Sequence, residues 1–391
     1  RNVYDDLALQ QALDGDVIGE TLRTGDAARL RACGVLSAHL DANEVARLQR
    51  FGFLPGEARW MGGRLRVGSD VEITPDLDDP PTLAALDAIL TGRRLCGGRY
   101  LRGAFYLGSH AFYDWLRGLD GDDYAGLAMT RVSDVNQLYG GRETLDATQR
   151  RDARFFNTCM MATLLGAAAS DALEDGRVVS GVGGQYNFVA MAHALAGGRS
   201  VLLLRATRES GGKRYSNIRW NYGHTTIPRH LRDIYVTEYG VADLRGRSDE
   251  NCIRAMLSIS DAQFVDELAA SAIHAQKLPR DFQVPETWRR NTPEHLRKRL
   301  AAVERQGLLP AFPFGSDFSA VELRLLPALG WLKRASTSGM SGWLQLAGAF
   351  LKAGKSRYPD ELARMGLATH DGLKQAITRR LLHGALRRTG D

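Results

Sequence analysis

The sequence predicts an α/β fold, and three observations point there. Between residues 157 and 244 short apolar runs bounded by glycine alternate with helix-like segments, the pattern of strands buried under helices. Two of those runs, Ser200–Leu204 and Asp233–Thr237, read as buried strands, and the second ends at Glu238-Tyr239-Gly240. Between the apolar pair Val178-Val179 and a helix expected from Asn187 to about Ala196 lies a glycine loop, Ser180-Gly181-Val182-Gly183-Gly184-Gln185. Ligands in such sheets bind at the carboxyl ends of the strands, where these glycines fall.

The loop has two physical readings. Glycines admit positive φ and let backbone N–H groups approach a ligand, and at a helix start those groups favour a phosphate or a developing oxyanion. The same residues also make a tight strand-to-helix turn with no ligand. A P-loop is excluded, because no Lys-Ser/Thr pair follows. The G-x-G-x-x-G fingerprint fails as well, since Tyr186 stands where its last glycine would be.

SGVGGQYNF from Ser180, HTTIPRHLRDIYVTEYGVADLRGRS from His224, GAFYLGSHAFYDWLR from Gly103 and MTRVSDVN from Met129 occur in this order across roughly Arg99–Ala275. Together they resemble the C-terminal half of the acetyl-CoA hydrolase/CoA-transferase family. The resemblance implies a CoA-transferase-like domain with a mostly parallel sheet and flanking helices. It also implies a CoA thioester as small-molecule substrate, with no tightly bound cofactor. CoA is expected across Gly181, Val182, Gly183, Gly184 and Gln185. The glycine loop Gly211-Gly212-Lys213 is expected to line the CoA channel or to be a flexible surface loop.

One departure is decisive for mechanism. Family members carry Asn-Ser-Ala-hydrophobic-Glu-Val-Asp-Leu-x-Gly, whose glutamate attacks the thioester. Here the stretch is Asn157-Thr158-Cys159-Met160-Met161-Ala162-Thr163-Leu164-Leu165-Gly166, which puts Met161 at the glutamate and Thr163 at the aspartate. A thioether is neither an acid nor a nucleophile for acyl transfer. The expectation is therefore an acyl-CoA hydrolase that activates water, with Glu238 or His224 as general base. The alternative is a catalytically silent CoA-binding or regulatory subunit. Glu238 also reads as a buried structural carboxylate capping the next loop.

The remaining elements follow from local signals. Residues 1–98 hold short amphipathic helices at Asp5–Leu13, Asp26–Ala32 and Asn43–Phe51, then a hairpin from Ala58 to Ile73 turning at Gly62-Gly63. Pro81 is placed to begin a helix to Leu90. The α/β domain is expected over 99–275, with a helix from His110 to Leu119 and a solvated charge run at Arg150, Arg151 and Arg154. His224 and His230 lack the i, i+4 spacing of a helical metal pair, and no metal site is expected. Residues 276–391 read as a helical extension, with helices from Thr292-Pro293-Glu294 to about Arg305, at Ser319–Leu326, at Trp343–Leu351 and at Lys374–Arg388.

Composition bounds the classes. The 391 residues are 44% hydrophobic and 25% charged, long enough for two or three domains. A net charge of +6 suits a polyanionic ligand such as CoA, but no nucleic-acid module is recognisable and no apolar run is long enough to span a membrane. Cys33, Cys96, Cys159 and Cys252 form no C-x-x-C pair, which fits the reducing cytoplasm. Position 1 is Arg. With the resemblance confined to a C-terminal half, an N-terminal half missing from this chain is expected, and a homo-oligomer is compatible with the sequence.

Overall fold

The structure is a computed structural model, and it describes residues 2–313, 315–351, 357–369 and 372–390. Two compact units emerge. One holds residues up to Tyr106 with Leu119–Arg208 and Arg214–Leu300; the other holds Leu107–Gly118, Glu209–Lys213 and the residues from Ala301 onward.

The first hundred residues of the larger unit build their own core. Helices α1 (Leu7–Asp14), α2 (Asp26–Ala32) and α3 (Ala42–Arg50) precede the antiparallel strands β1 (Arg59–Met61), β2 (Arg64–Val67) and β3 (Val71–Ile73). Helix α4 (Pro80–Leu90) follows. Aspartates start three of these helices: Asp6, Asp41 and Asp79 each accept a first-turn N–H, at 3.0, 2.7 and 3.1 Å. The hairpin turns at Gly62 (φ +59°) and Gly63 (φ +75°), which a two-residue turn with both centres left-handed requires. Leu9, Leu30, Leu48, Phe53, Leu65 and Leu86 close the interior.

After β4 (Leu101–Gly103) the smaller unit contributes α5 (His110–Arg117), capped by Ser109. Elements α6 (Gly121–Ala125), β5 (Leu127–Met129), α7 (Val132–Asn136) and α8 (Glu143–Gln149) return to the larger unit, where β5 runs parallel to β4. The main sheet is then assembled from β6 (Arg154–Thr158), β9 (Arg199–Leu203), β13 (Ile234–Thr237) and β14 (Gly240–Asp243), in the order β14-β13-β9-β6. β6, β9 and β13 are parallel, and β14 folds back antiparallel on β13. A second sheet in the order β12-β7-β8 combines β7 (Met161–Thr163), β8 (Ala168–Ala169) and β12 (Ile218–Arg219). The mostly parallel α/β expectation therefore holds.

Helix α9 (Gln185–Ala194) crosses from β8 to β9, and β10 (Thr207–Ser210) and β11 (Lys213–Ser216) form a hairpin. Helices α10 (Asp249–Ser258) and α11 (Val265–His274) cover the sheet: Cys252, Ile253, Met256 and Leu257 share one core with Val189, Leu202 and Tyr235. Each fully buried aliphatic side chain there contributes about 1.5–3 kcal/mol. Tyr235 is buried whole and donates its hydroxyl to the Gly166 carbonyl at 3.1 Å, which ties the sheets together.

Helix α12 (Pro293–Arg305) begins where the proline signal places it and ends before Gly307 (φ +70°). In the smaller unit α13 (Ala320–Thr337), α14 (Gly339–Leu351), α15 (Pro359–Arg364) and α16 (Leu373–Thr389) form a helical cluster around Leu325, Trp331, Leu362 and Leu382. Gly384 lets α16 approach α14, since a Cβ there would strike the Ala349 carbonyl. α13 runs past Leu326 and through Pro327, longer than the sequence suggests. Burial of Ala328, Trp331 and Ala335 beyond the proline outweighs the lost hydrogen bond. Among the described residues no helix is long and apolar enough to cross a membrane.

Candidate functional site

Several of the singled-out residues lie at the carboxyl edge of the main sheet. There Cys159 N donates to Leu203 O at 3.0 Å and Leu204 N to Val236 O at 3.0 Å, so the ends of β6, β9 and β13 are in step. Gln185, the first residue of α9 and buried, donates from Nε2 to the Thr158 carbonyl at 2.8 Å. This bond plants the helix start, and the glycine turn before it, at the end of β6. Gly181, Val182 and Gly183 are exposed, Gly183 at φ +58°. A Cβ at Gly184 would sit 3.2 Å from Asn136 Nδ2. No side chain caps α9, which leaves its positive end open. Three buried polar atoms around it have no protein partner: Gln185 Oε1, Asn157 Nδ2 and Asn136 Oδ1. Such groups are rare in folded interiors and are available to a polar ligand.

Val178 and Val179, the apolar pair leading into the turn, are 71% and 49% exposed with one bridge from Val178 to Ala172. What holds the turn is Asp171, whose carbonyl accepts from Val179 N at 2.8 Å and Ser180 N at 3.1 Å. Its carboxylate does a second job. It accepts from the Thr226 hydroxyl and lies 3.0 Å from His224 Nε2. The Thr226 hydrogen bond first, then that of His224, hold the Asp171 carboxyl below the usual aspartate range. When Nε2 donates to Asp171, Nδ1 of His224 is the basic nitrogen, the arrangement of an oriented general base.

Glu238 follows β13 at the same sheet edge, but it is exposed, not buried. Its Oε2 accepts from Ala206 N at 2.9 Å and pins the chain leaving β9. Met161 opens β7 and is 4% exposed, packed with Met160, Ala169, Leu173 and Tyr222. Arg208 Nη1 lies 3.9 Å from its sulfur and 2.9 Å from Asn217 Oδ1. Thr163 uses its hydroxyl in the β7–β8 turn, accepting from Ala167 N at 3.0 Å. Gly166 in that turn, at φ +84°, has Arg232 against it: a Cβ would come 2.8 Å from Arg232 Cβ.

Gly211 (φ +56°) and Gly212 (φ +73°) form the tight tip of the β10–β11 hairpin, with Lys213 opening β11. They fall in the smaller unit. Arg150, expected in a solvated run, is half-buried and donates to the Asp134 and Gln137 carbonyls, both at 2.6 Å. Asp171 and Arg208 were not legible as site residues: each meets its partner across a long stretch of chain. Among the described residues no group of His, Cys, Asp and Glu can hold a metal ion.

An α/β protein is thus defined in which an uncapped helix start stands at the carboxyl edge of a parallel sheet, the place where such folds commonly receive ligands. Residues 108–272 match the acetyl-CoA hydrolase/transferase C-terminal domain, so this part of the chain is a domain of the acetyl-CoA hydrolase/CoA-transferase family. It is 30% identical over 198 residues to a probable butyrate:acetyl-CoA coenzyme A-transferase of Syntrophomonas wolfei, across 50% of this chain and 42% of the relative. It is 32% identical over 113 residues to a 4-hydroxybutyrate coenzyme A transferase of Clostridium kluyveri, across 29% of this chain and 26% of that one. The chain thus spans less than half the length of these curated relatives. The crystal structure of RipA from Yersinia pestis aligns with a TM-score of 0.39 at 27% identity, over 46% of this chain and 38% of that one.

Proposed function

We propose that this chain binds acyl-CoA thioesters of the acetyl-CoA kind at the Gly181–Gln185 turn and hydrolyses them with His224 as general base. The observation that carries the reading is the Asp171–His224 pair. One aspartate orients the imidazole at 3.0 Å and anchors the root of the glycine turn through its own carbonyl. A buried thioether at Met161 offers no attacking group in its place.

In this mechanism water attacks the thioester carbonyl carbon and gives a proton to His224 Nδ1. The oxyanion is met by N–H groups of the turn and the first turn of α9. Collapse breaks the C–S bond, the imidazolium returns the proton to the leaving thiolate, and a carboxylic acid and CoA depart. Glu238, with one oxygen spent on Ala206, holds the sheet edge. The four free cysteines support a reducing compartment such as the cytoplasm.

The test is thiol release from acetyl-CoA, followed with and without an added acceptor carboxylate. Acceptor-independent release, reduced about 10²–10⁴-fold by His224→Gln, is expected. Acceptor-dependent acyl exchange by the native chain would overturn the assignment of position 161. CoA binding with no turnover of a broad acyl-CoA panel would instead support a binding or regulatory subunit. Met161→Glu, which brings a carboxylate to the Arg208 guanidinium, is expected to introduce the acceptor-dependent exchange that the native chain lacks.

A further inference from the structure

On the side of α7 next to the glycine turn, the larger unit contains a cluster of arginines that no step above uses. A cavity of about 190 Å³ is lined by Arg102, Arg131 and Arg142, with Ser133, Asp134 and Tyr139 among the other walls. Arg102 and Arg142 both donate from Nη2 to a single oxygen, Asp5 Oδ1, at 2.6 and 2.8 Å. Each guanidinium has five N–H donors, so one shared acceptor leaves most of them for something else. Arg102 Nε is buried and has no partner at all. Arg131 pairs with Asp134 at 3.0 Å and is otherwise open to solvent, its side chain 81% exposed.

Arg102, Arg131 and Arg142 line the cavity and Arg150 stands behind it, with the carboxylates of Asp5, Asp134, Asp146 and Glu143 around them. The basicity of Arg150 is lowered chiefly by burial, with Asp146 opposing the shift and repulsion from Arg102 and Arg142 adding to it. Conversely, although burial pushes the Asp5 carboxyl up, the Arg102 and Arg142 hydrogen bonds bring it below the usual aspartate range. The N–H groups of Gly140 and Gly141 nearby are already taken by Glu143 Oε1, at 3.0 and 3.1 Å. Recognition of a ligand here therefore falls to the guanidiniums.

Convergent guanidinium forks suit an oxyanion with several acceptor oxygens on one centre. The cavity is small, but it does not end at Tyr139. That ring, 70% exposed, also walls an adjoining groove of about 940 Å³ that runs past Leu138, Ala147 and Leu195. A compact anion hole opening beside an aromatic ring onto a larger, partly apolar groove fits a phosphoryl group attached to an organic body. We infer that Arg102, Arg131 and Arg142 form a binding site for the phosphoryl group of a phosphomonoester, whose remainder lies along Tyr139 in the adjoining groove. The inference stands apart from the thioester chemistry, because it needs neither His224 nor the glycine turn.

The experiment is calorimetric titration of the full chain with sodium phosphate, against sodium chloride at matched ionic strength. Saturable phosphate binding is expected, weakened about tenfold or more by Arg142→Gln and less by Arg131→Ala. Arg131→Ala removes an exposed side chain, so it tests the site even if losing the Arg142–Asp5 bond unsettles the fold. Adenosine 3′-phosphate is expected to bind more tightly than phosphate, with Tyr139→Ala removing that advantage alone. Competition by CoA but not dephospho-CoA would identify the phosphomonoester as the chain's own substrate; competition by neither would identify it as a separate ligand, and both outcomes support the site. Phosphate binding no stronger than the chloride control, or unchanged by Arg131→Ala and Arg142→Gln, would overturn it. Thiol release in phosphate-free buffer reports on the proposed hydrolysis independently.

Discussion

Replacing Asp233 tests whether one buried carboxylate sets the register of the sheet edge. Asp233 directly precedes β13 and is 2% exposed. It accepts from Arg199 Nε at 2.8 Å, Arg245 Nη2 at 2.6 Å and Ser200 N at 2.7 Å, which joins β9 to β13. Arg199 also reaches Asp243 on β14 at 2.7 Å, and Arg245 reaches Gly198 O at 2.7 Å. In Asp233→Ala the two guanidiniums, with side chains 26% and 32% exposed, recover part of their loss from water. The Ser200 N–H is buried and cannot. A charge-assisted bond contributes about 1.5–3 kcal/mol, and stranding one partner of a buried pair costs about 3–5 kcal/mol. With the arginine share discounted for solvent, the lower half of that range is expected for alanine and about half as much for Asp233→Asn, which keeps an acceptor. Because the chain has more than one core, the assay is native-state hydrogen exchange of the β9 and β13 amides, not a global melt. About 3 kcal/mol corresponds to roughly a hundredfold loss of protection. A loss under tenfold, or equal losses in the two variants, would refute the reasoning.

Two further outcomes follow from burial and charge in the same chain. Cys33 and Cys96 are exposed, whereas burial pushes the Cys159 thiol up to about 12 and raises that of Cys252. Maleimide labelling of the native chain, read by intact mass, is expected to stop at two adducts and to reach all four cysteines only in denaturant. Asp171 and Asp249 both have folded carboxyls below the ordinary aspartate value, Asp171 through Thr226 and His224, and Asp249 chiefly through Lys277 and then Arg232. Their contributions are therefore complete above about pH 3.9, where the unfolded groups ionise, and fade as pH falls through the lower folded values. Carboxyl titration by NMR is expected to give midpoints under 3.9 for both, with Lys277→Met raising Asp249 alone. A midpoint at or above the ordinary value for Asp171 would count against its grip on His224.

Locally encoded features were readable in the residue order. α2 occupies the span its pattern suggests, α4 begins at Pro80, one residue before the expected Pro81, and Ser200–Leu204 and Asp233–Thr237 coincide with β9 and β13 to within a residue. Such signals come from spacing, capping and short apolar runs, which neighbouring residues supply. Failures came where tertiary contacts decide. Val178-Val179 has strand chemistry but no sheet to join, and strand preference is mostly packing against neighbours. Pro327 reads as a stop, yet burial further along keeps α13 going.

The same division runs through the candidate site. The glycine turn and Gln185 announce themselves locally, but the partner that gives His224 a direction is Asp171, 53 positions earlier in the chain. Sequence alone offered Glu238 as the candidate base, with His224 as the alternative. Their hydrogen bonds separate them. Glu238 commits Oε2 to a backbone N–H as an anchor, while His224 meets a carboxylate on one ring nitrogen and keeps the other for a proton. On the proposed hydrolytic reading, Glu238→Gln therefore disturbs the exit from β9 but leaves the base intact. Its thiol-release rate is expected to fall far less than that of His224→Gln, and the reverse order would move the base to Glu238.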